Sequence, residues 1–178
     1  MNTNSRKQDA RGQGQTEGSG LNNPQGVDTM TALKALQKLA PFITRGQWHT
    51  LWKLCQSGEE QAYFRQMVQD LATRIEAMPQ PSEQDGLGLR AIASLHYFTP
   101  AFDFYITEKD RTGDGTQQAF GLACAHEREI GYISIRQLVE AGAELDLHWT
   151  PKTLAAWSNS ISSCSGRRGQ VSPWPSKR

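Results

Sequence analysis

Apolar side chains recur at intervals of three and four through the first half of the chain, then give way to shorter, alternating runs. Leu33, Leu36, Leu39 and Ala40 predict a first helix over 30–40, terminated by Pro41. Thr44 and Gln47 have the spacing of a capping box, in which the N-cap hydroxyl and the Gln side chain each satisfy an amide left free by the first helical turn. Trp48, Leu51, Trp52 and Cys55 then mark the inner face of a second helix. Ser57 and Glu60 predict another such box, opening a third helix. Its apolar stripe is Phe64, Met67, Val68, Leu71, Ile75 and Met78, with Gln61, Arg65, Gln69, Arg74 and Glu76 opposite. Pro79 and Pro81 end that pattern. Helices on links this short are expected to pack as antiparallel neighbours.

The second half reads as strands. A loop over 79–88, with Asp85-Gly86 as its turn, precedes an apolar and aromatic strand over 91–98 that Pro100 breaks. Phe102, Phe104 and Ile106 alternate with Asp103, Tyr105 and Thr107, the period of a half-buried strand. Gly113-Asp114-Gly115 marks a hairpin loop over 109–116, and 118–125 forms the next strand. A turn over 126–130 and a short strand over 131–133 follow. Ser134 and Gln137 predict a capped short helix that Gly142 stops, and 145–149 a last short strand. Thr150-Pro151 supplies an N-cap and first-turn pair for a terminal helix through Leu154 and Trp157. Helices first and strands afterwards predict an α+β fold: N-terminal helices, then a small, mostly antiparallel β-sheet of three to five strands with short C-terminal helices.

Composition sets the boundaries. Segment 1–28 is rich in Asn, Gln, Gly, Ser and Thr, and segment 158–178 in Ser and Arg. Neither can bury enough apolar surface to offset its ordering entropy, so both are expected as disordered tails. Between them, 29–157 is expected to form a single domain, helical over 29–80 and sheet-forming over 89–157. The net charge of +1 divides into +4 on the last 21 residues, zero on the first 28 and −3 on the middle. An acidic middle argues against a duplex-binding surface, which needs clustered cations. The absence of an 18-residue apolar run and of an N-terminal apolar leader points to a cytoplasmic protein with no membrane span. Cys55, Cys124 and Cys164 are widely spaced and odd in number, which suits a reducing compartment and offers no CxxC pair. Cys55 and Cys124 sit among apolar residues and are expected to be inert packing.

Tyr105-Ile106-Thr107-Glu108, Phe120-Gly121-Leu122, Glu129-Ile130-Gly131-Tyr132-Ile133-Ser134 and the run from Glu144 through Trp149-Thr150-Pro151-Lys152-Thr153-Leu154 follow one another in a characteristic order. In sequence and spacing they resemble the family called domain of unknown function 2958, over about residues 89–157. The resemblance implies a setting on bacterial plasmids, phages or integrated elements, where small accessory proteins often act against host defence. It carries over no catalytic or cofactor-binding residue. After Trp157 the acid-free, Ser-rich tail departs from the family pattern.

Two groups of residues could carry chemistry. Glu108, Asp110 and Asp114, beside Gly113 and Gly115, offer hard oxygen donors for a divalent metal, although their spacing is not that of an EF-hand and an exposed turn is the plainer reading. His96, Asp103 and Tyr105 would share a sheet face if the first two strands pair as a hairpin, a trio able to do acid–base work; an ordinary hydrogen-bonded His is the plainer reading. No phosphate loop, nucleophile elbow, dinucleotide fingerprint or zinc spacing is present, and no cofactor is expected. The aromatics of 97–105, with Trp48, Trp52 and Trp149, are expected mainly in the core, with a protein-binding patch as the second use. The sequence thus points to a non-catalytic protein-interaction module of a mobile element, in an accessory or anti-defence role, whose partner is a host or element-encoded protein. The alternative is a metal-dependent enzyme or a binder acting on single-stranded nucleic acid.

Overall fold

Thr44 and Ser134 act as the N-caps that the sequence predicts, and Asp28, not expected in that role, is a third. Asp28, Thr44 and Ser134 each take an extended backbone and accept a hydrogen bond from the amide three residues on, opening α1 (Thr29–Leu39), α2 (Arg45–Gln56) and α4 (Ile135–Glu140). Pro41 turns the chain after α1 into a single 3-10 turn over Ala40–Phe42. The second box is not used. Ser57 is the C-cap of α2, Gly58 reverses the chain at a φ of 107°, and α3 (Gln61–Glu76) starts from Glu60 without a side-chain cap. A left-handed glycine so close behind Ser57 leaves no room for an N-cap there. The computed structural model describes Met1 and residues 27–125 and 127–158, except the side chains of Trp157 and Ser158. The expected tails therefore lie almost wholly outside the described residues, as do His126 and Cys164.

The strands are β1 (Ile92–Ala93), β2 (Leu95–Phe98), β3 (Asp103–Glu108), β4 (Ala119–Cys124), β5 (Arg128–Ile133), β6 (Glu144–Leu145) and β7 (Lys152–Thr153). Five form an antiparallel sheet in the order β5-β4-β3-β2-β6, and β1 with β7 makes a separate two-stranded ribbon. The fold is α+β, with helices first and sheet after. The segment expected as one strand over 91–98 changes sheets at Ser94. The helix expected from Thr150-Pro151 starts later, as α5 (Leu154–Ser158), because Lys152 and Thr153 pair with Ala93 and Ile92. The Thr153 hydroxyl then accepts from the Ala156 amide.

The inner face of the sheet is covered, and so is the outer face over β3 and β4. On the inner face Leu95, Tyr97, Phe104, Ile106, Ala119, Ile133 and Leu145 join the buried stripes of α1, α2 and α3 in the main core. Tyr97 is fully buried there, and its hydroxyl donates to the Phe42 carbonyl at 2.8 Å. Removal from water pushes the Tyr97 phenol well above its ordinary pKa. On the outer face Tyr105, Leu122 and Cys124 pack with Ala91, Ala93, Trp149 and Leu154 in a smaller second core. The expectation that β3 is half-buried therefore fails: Phe104 through Glu108 are all buried, because the β1–β7 ribbon and Trp149 roof the face that alternation assigned to solvent. The Trp149 indole donates to the Ala93 carbonyl at 3.0 Å and fixes that roof. Cys55 and Cys124 are both buried, consistent with packing.

Gly121 is the tightest point of the sheet. A Cβ there would lie 2.1 Å from the Tyr105 carbonyl oxygen, where β3 bulges between Ile106 and Glu108. Only glycine lets the two backbones approach so closely.

Candidate functional site

His96, Asp103 and Tyr105 meet on the outer face. His96 lies opposite Tyr105 in the β2–β3 register, and the two rings stack with centroids 4.8 Å apart and planes within 10°. Trp149 leans on the imidazole at 4.9 Å. His96 Nε2 is 3.0 Å from Asp103 Oδ1, and Nδ1 is 3.2 Å from Asp146 Oδ2. Asp146 is the member that sequence reasoning missed. It follows β6, its amide donates to the His96 carbonyl, and its other oxygen accepts from the His148 amide. Both ring nitrogens thus face a carboxylate. A general base needs a nitrogen lone pair aimed at a substrate proton, whereas here the imidazole joins β2, β3 and the segment after β6. The imidazole side chain is 12% exposed.

The three acids of the second group separate. Glu108 turns to the 81–88 loop, 3% exposed, and its oxygens accept from the Ser82 and Gln84 amides at 3.1 and 2.7 Å. Asp110 accepts from Thr112 and from the Gln118 amide. Asp114 accepts from Thr116 and pairs with Arg136 at 2.8 Å. Hydrogen bonds from Thr112 hold the Asp110 carboxyl below its ordinary value, and those from Thr116 do the same for Asp114. Among the described residues no three His, Cys, Asp or Glu side chains gather as a metal site.

A cleft lies elsewhere on the same outer face, beside β5. It encloses about 480 Å³ between the 81–88 loop, Leu154 of α5, and the sheet residues Thr107, Glu108, Phe120, Gly121, Ile130 and Tyr132. Alternation along β4 and β5 puts Phe120 against Tyr132 on this face, and their rings meet edge-on at 5.5 Å. Ile130 and Tyr132 are 48% and 72% exposed. The loop wall is firmly tied. Gln84 bonds the Ile92 amide and carbonyl and the Thr107 carbonyl, while Glu108 holds the Ser82 and Gln84 amides. Ser82 takes a φ of 78°, uncommon for a residue with a side chain. The sequence hinted at the exposed strand only through Ile130-Gly131-Tyr132, an apolar pair flanking a glycine; the loop wall gave no periodic signal.

Comparison with family models, with curated proteins and with solved structures finds no match for the chain.

Proposed function

We propose that the protein is a non-catalytic interaction module that binds a partner protein along β5 and the cleft beside it. The observation that carries this reading is that, among the described residues, β5 pairs on one side only, with large apolar side chains, Ile130 and Tyr132, left in water on the face where the cleft opens. A strand with one unpaired edge is a template for another extended segment, and exposed apolar side chains beside it supply the burial that makes such pairing stable. The resemblance to the plasmid- and phage-borne family supports a mobile-element setting, with a host or element-encoded partner and an accessory or anti-defence role. The metal-dependent alternative requires Glu108, Asp110 and Asp114 to share one ion, whereas each carboxylate serves a different stretch of backbone.

The test is capture from bacterial extract by the immobilised full-length chain, compared with an Ile130→Lys, Tyr132→Lys double variant. One partner at equal stoichiometry, recovered by the native chain and lost with the variant at unchanged melting temperature, is the expected result. No partner at micromolar concentration, or equal recovery by both proteins, overturns the reading.

A further inference from the structure

We infer that the partner segment added to β5 is a strand with two unlike faces, apolar opposite Ile130 and Tyr132 and basic opposite Glu129 and Glu127. This deepens the interaction reading and rests on it. The unpaired edge makes the site, and the two faces of β5 select what fills it. Side chains alternate between faces along a strand. Ile130 and Tyr132 open onto the outer face with the cleft, whereas Ile133 belongs to the main core on the inner face. Stepping back by twos from Ile133 puts Gly131, Glu129 and, just before the strand, Glu127 on the inner side. The geometry agrees. Glu129 lies opposite Ala123 in the β4–β5 register, and Glu127 and Glu129 border a hollow of about 320 Å³ with Ala123 and Ala125. Both glutamates are exposed, so the inner face reaches water at this end of the hairpin. The ion pairs among the described residues include neither of them.

Every pairing in the five-stranded sheet is antiparallel, and a strand added in the same sense sets each of its side chains beside one of β5 on the same face. Read from its own N-terminus, such a segment meets Tyr132 first and Glu127 last. Its complementary pattern is therefore apolar-x-apolar-basic-x-basic. The apolar pair covers Ile130 and Tyr132 on the outer face. On the inner face the methylenes of a Lys or Arg lie over the small side chains of Ala123 and Ala125, and the cationic head meets a glutamate on the same edge. A second copy of β5 does not match this pattern. Antiparallel pairing of the strand with itself sets inner face against inner face, and the cation of β5, Arg128, lies on the outer face with Ile130 and Tyr132. The occupant is thus a different polypeptide with alternating apolar and basic positions.

The experiment titrates the full-length protein by calorimetry with capped peptides Thr-Val-Thr-Ile-X-Thr-X-Thr, in which both X are Lys, Gln or Glu. Opposite charges facing each other across a strand pair add modestly, so two such pairs should make the Lys peptide bind about fivefold more tightly than the Gln peptide at low salt. The Glu peptide should bind more weakly than both, and the differences should shrink at about 0.5 M salt. A Glu127→Gln, Glu129→Gln double variant changes exposed side chains alone and should bind the Lys and Gln peptides alike. Equal affinity of the native protein for the Lys and Gln peptides, no binding by any peptide, or discrimination retained by the double variant overturns the inference. Each of these outcomes leaves the capture experiment with the Ile130→Lys, Tyr132→Lys variant standing, so the two readings can fail separately. Dimerisation in analytical ultracentrifugation that is lost with that variant assigns the edge to a second copy of the chain and also overturns the inference.

Discussion

The two edges of the five-stranded sheet are finished in opposite ways. At one end, β6 is two residues long, and the Gln47 side chain lies against it like a single rung of a missing strand. Its amide donates to the Leu145 carbonyl at 2.8 Å and its oxygen accepts from the Leu145 amide at 3.1 Å. At the other end, β5 is six residues long, and among the described residues it pairs with β4 alone. Short edges and side-chain covers are ways of preventing unwanted strand addition. The fold therefore closes the edge beside the helices and leaves the edge beside the cleft open. A chain able to blunt one edge with one glutamine has left the other six residues long, charged at Arg128 and Glu129 but with Ile130 and Tyr132 exposed, and that contrast is the reason to read β5 as a binding surface.

Four changes break or sharpen the contrast. The largest effect is expected from Gly121→Ala, which drives a methyl into the Tyr105 carbonyl and should separate β3 from β4, carrying β5 away with them. A loss of about 3 kcal/mol or more, read from urea denaturation, is expected from overpacking at this point. Next is Gln47→Ala, which uncovers the β6 edge and leaves the amide and carbonyl of Leu145 without their side-chain partners. It should cost about 2 kcal/mol and raise light scattering at high concentration, giving the protein two open edges. If scattering stays flat, Gln47 is a stability device and not an edge cover.

Acid gives a smaller effect. The Asp110 and Asp114 carboxyls lie below their ordinary 3.8 in the folded chain, because hydrogen bonds from Thr112 and Thr116 favour the charged form. Their stabilisation is complete above 3.8 and is lost as pH falls through the depressed folded values. Denaturation midpoints should therefore drop below pH 3.8 and drop less in an Asp114→Asn variant. The loop these residues organise joins β3 to β4, so acid should loosen the β5 side of the sheet before the β6 side; residue-resolved NMR at low pH checks the order. Smallest is Tyr132→Ala. With 72% of the side chain in water, it should move stability by no more than about 0.5 kcal/mol while weakening partner capture. A large loss of stability would make Tyr132 part of the core and weaken the case for β5.

Local signals in the sequence held where a side chain acts on its own backbone, except at Ser57, which ends α2 instead of capping α3. The N-caps at Thr44 and Ser134, the stripe of α3 and the hairpin of β2 with β3 are all present, though the Gln47 side chain that a full box would use goes to Leu145 instead. Signals that depend on distant parts of the chain did not. Tyr105 and Thr107 read as solvent-facing because nothing in their neighbourhood announces that Trp149 and the β1–β7 ribbon will cover them. The meeting of His96, Asp103 and Tyr105 followed from pairing two adjacent strands, but Asp146 lies 50 residues beyond His96 and reaches it only through the return of β6. Glu108 looked like part of an acidic loop. Its partners Ser82 and Gln84 precede it by 26 and 24 residues, and period and spacing cannot reveal a side chain that turns back to hold an irregular loop.

The β1–β7 ribbon has a further consequence. Two residues on each side join segments about sixty positions apart, so its closure carries a large loop entropy for few backbone bonds. Such a seam is the first part of a native structure to open and the last to form. Amides of Ala93 and Leu154 should therefore trade hydrogen for deuterium sooner than those of β3 and β4, and each opening would briefly expose Tyr105 and Trp149. The molecule would then breathe from its outer roof while its helical underside stays closed.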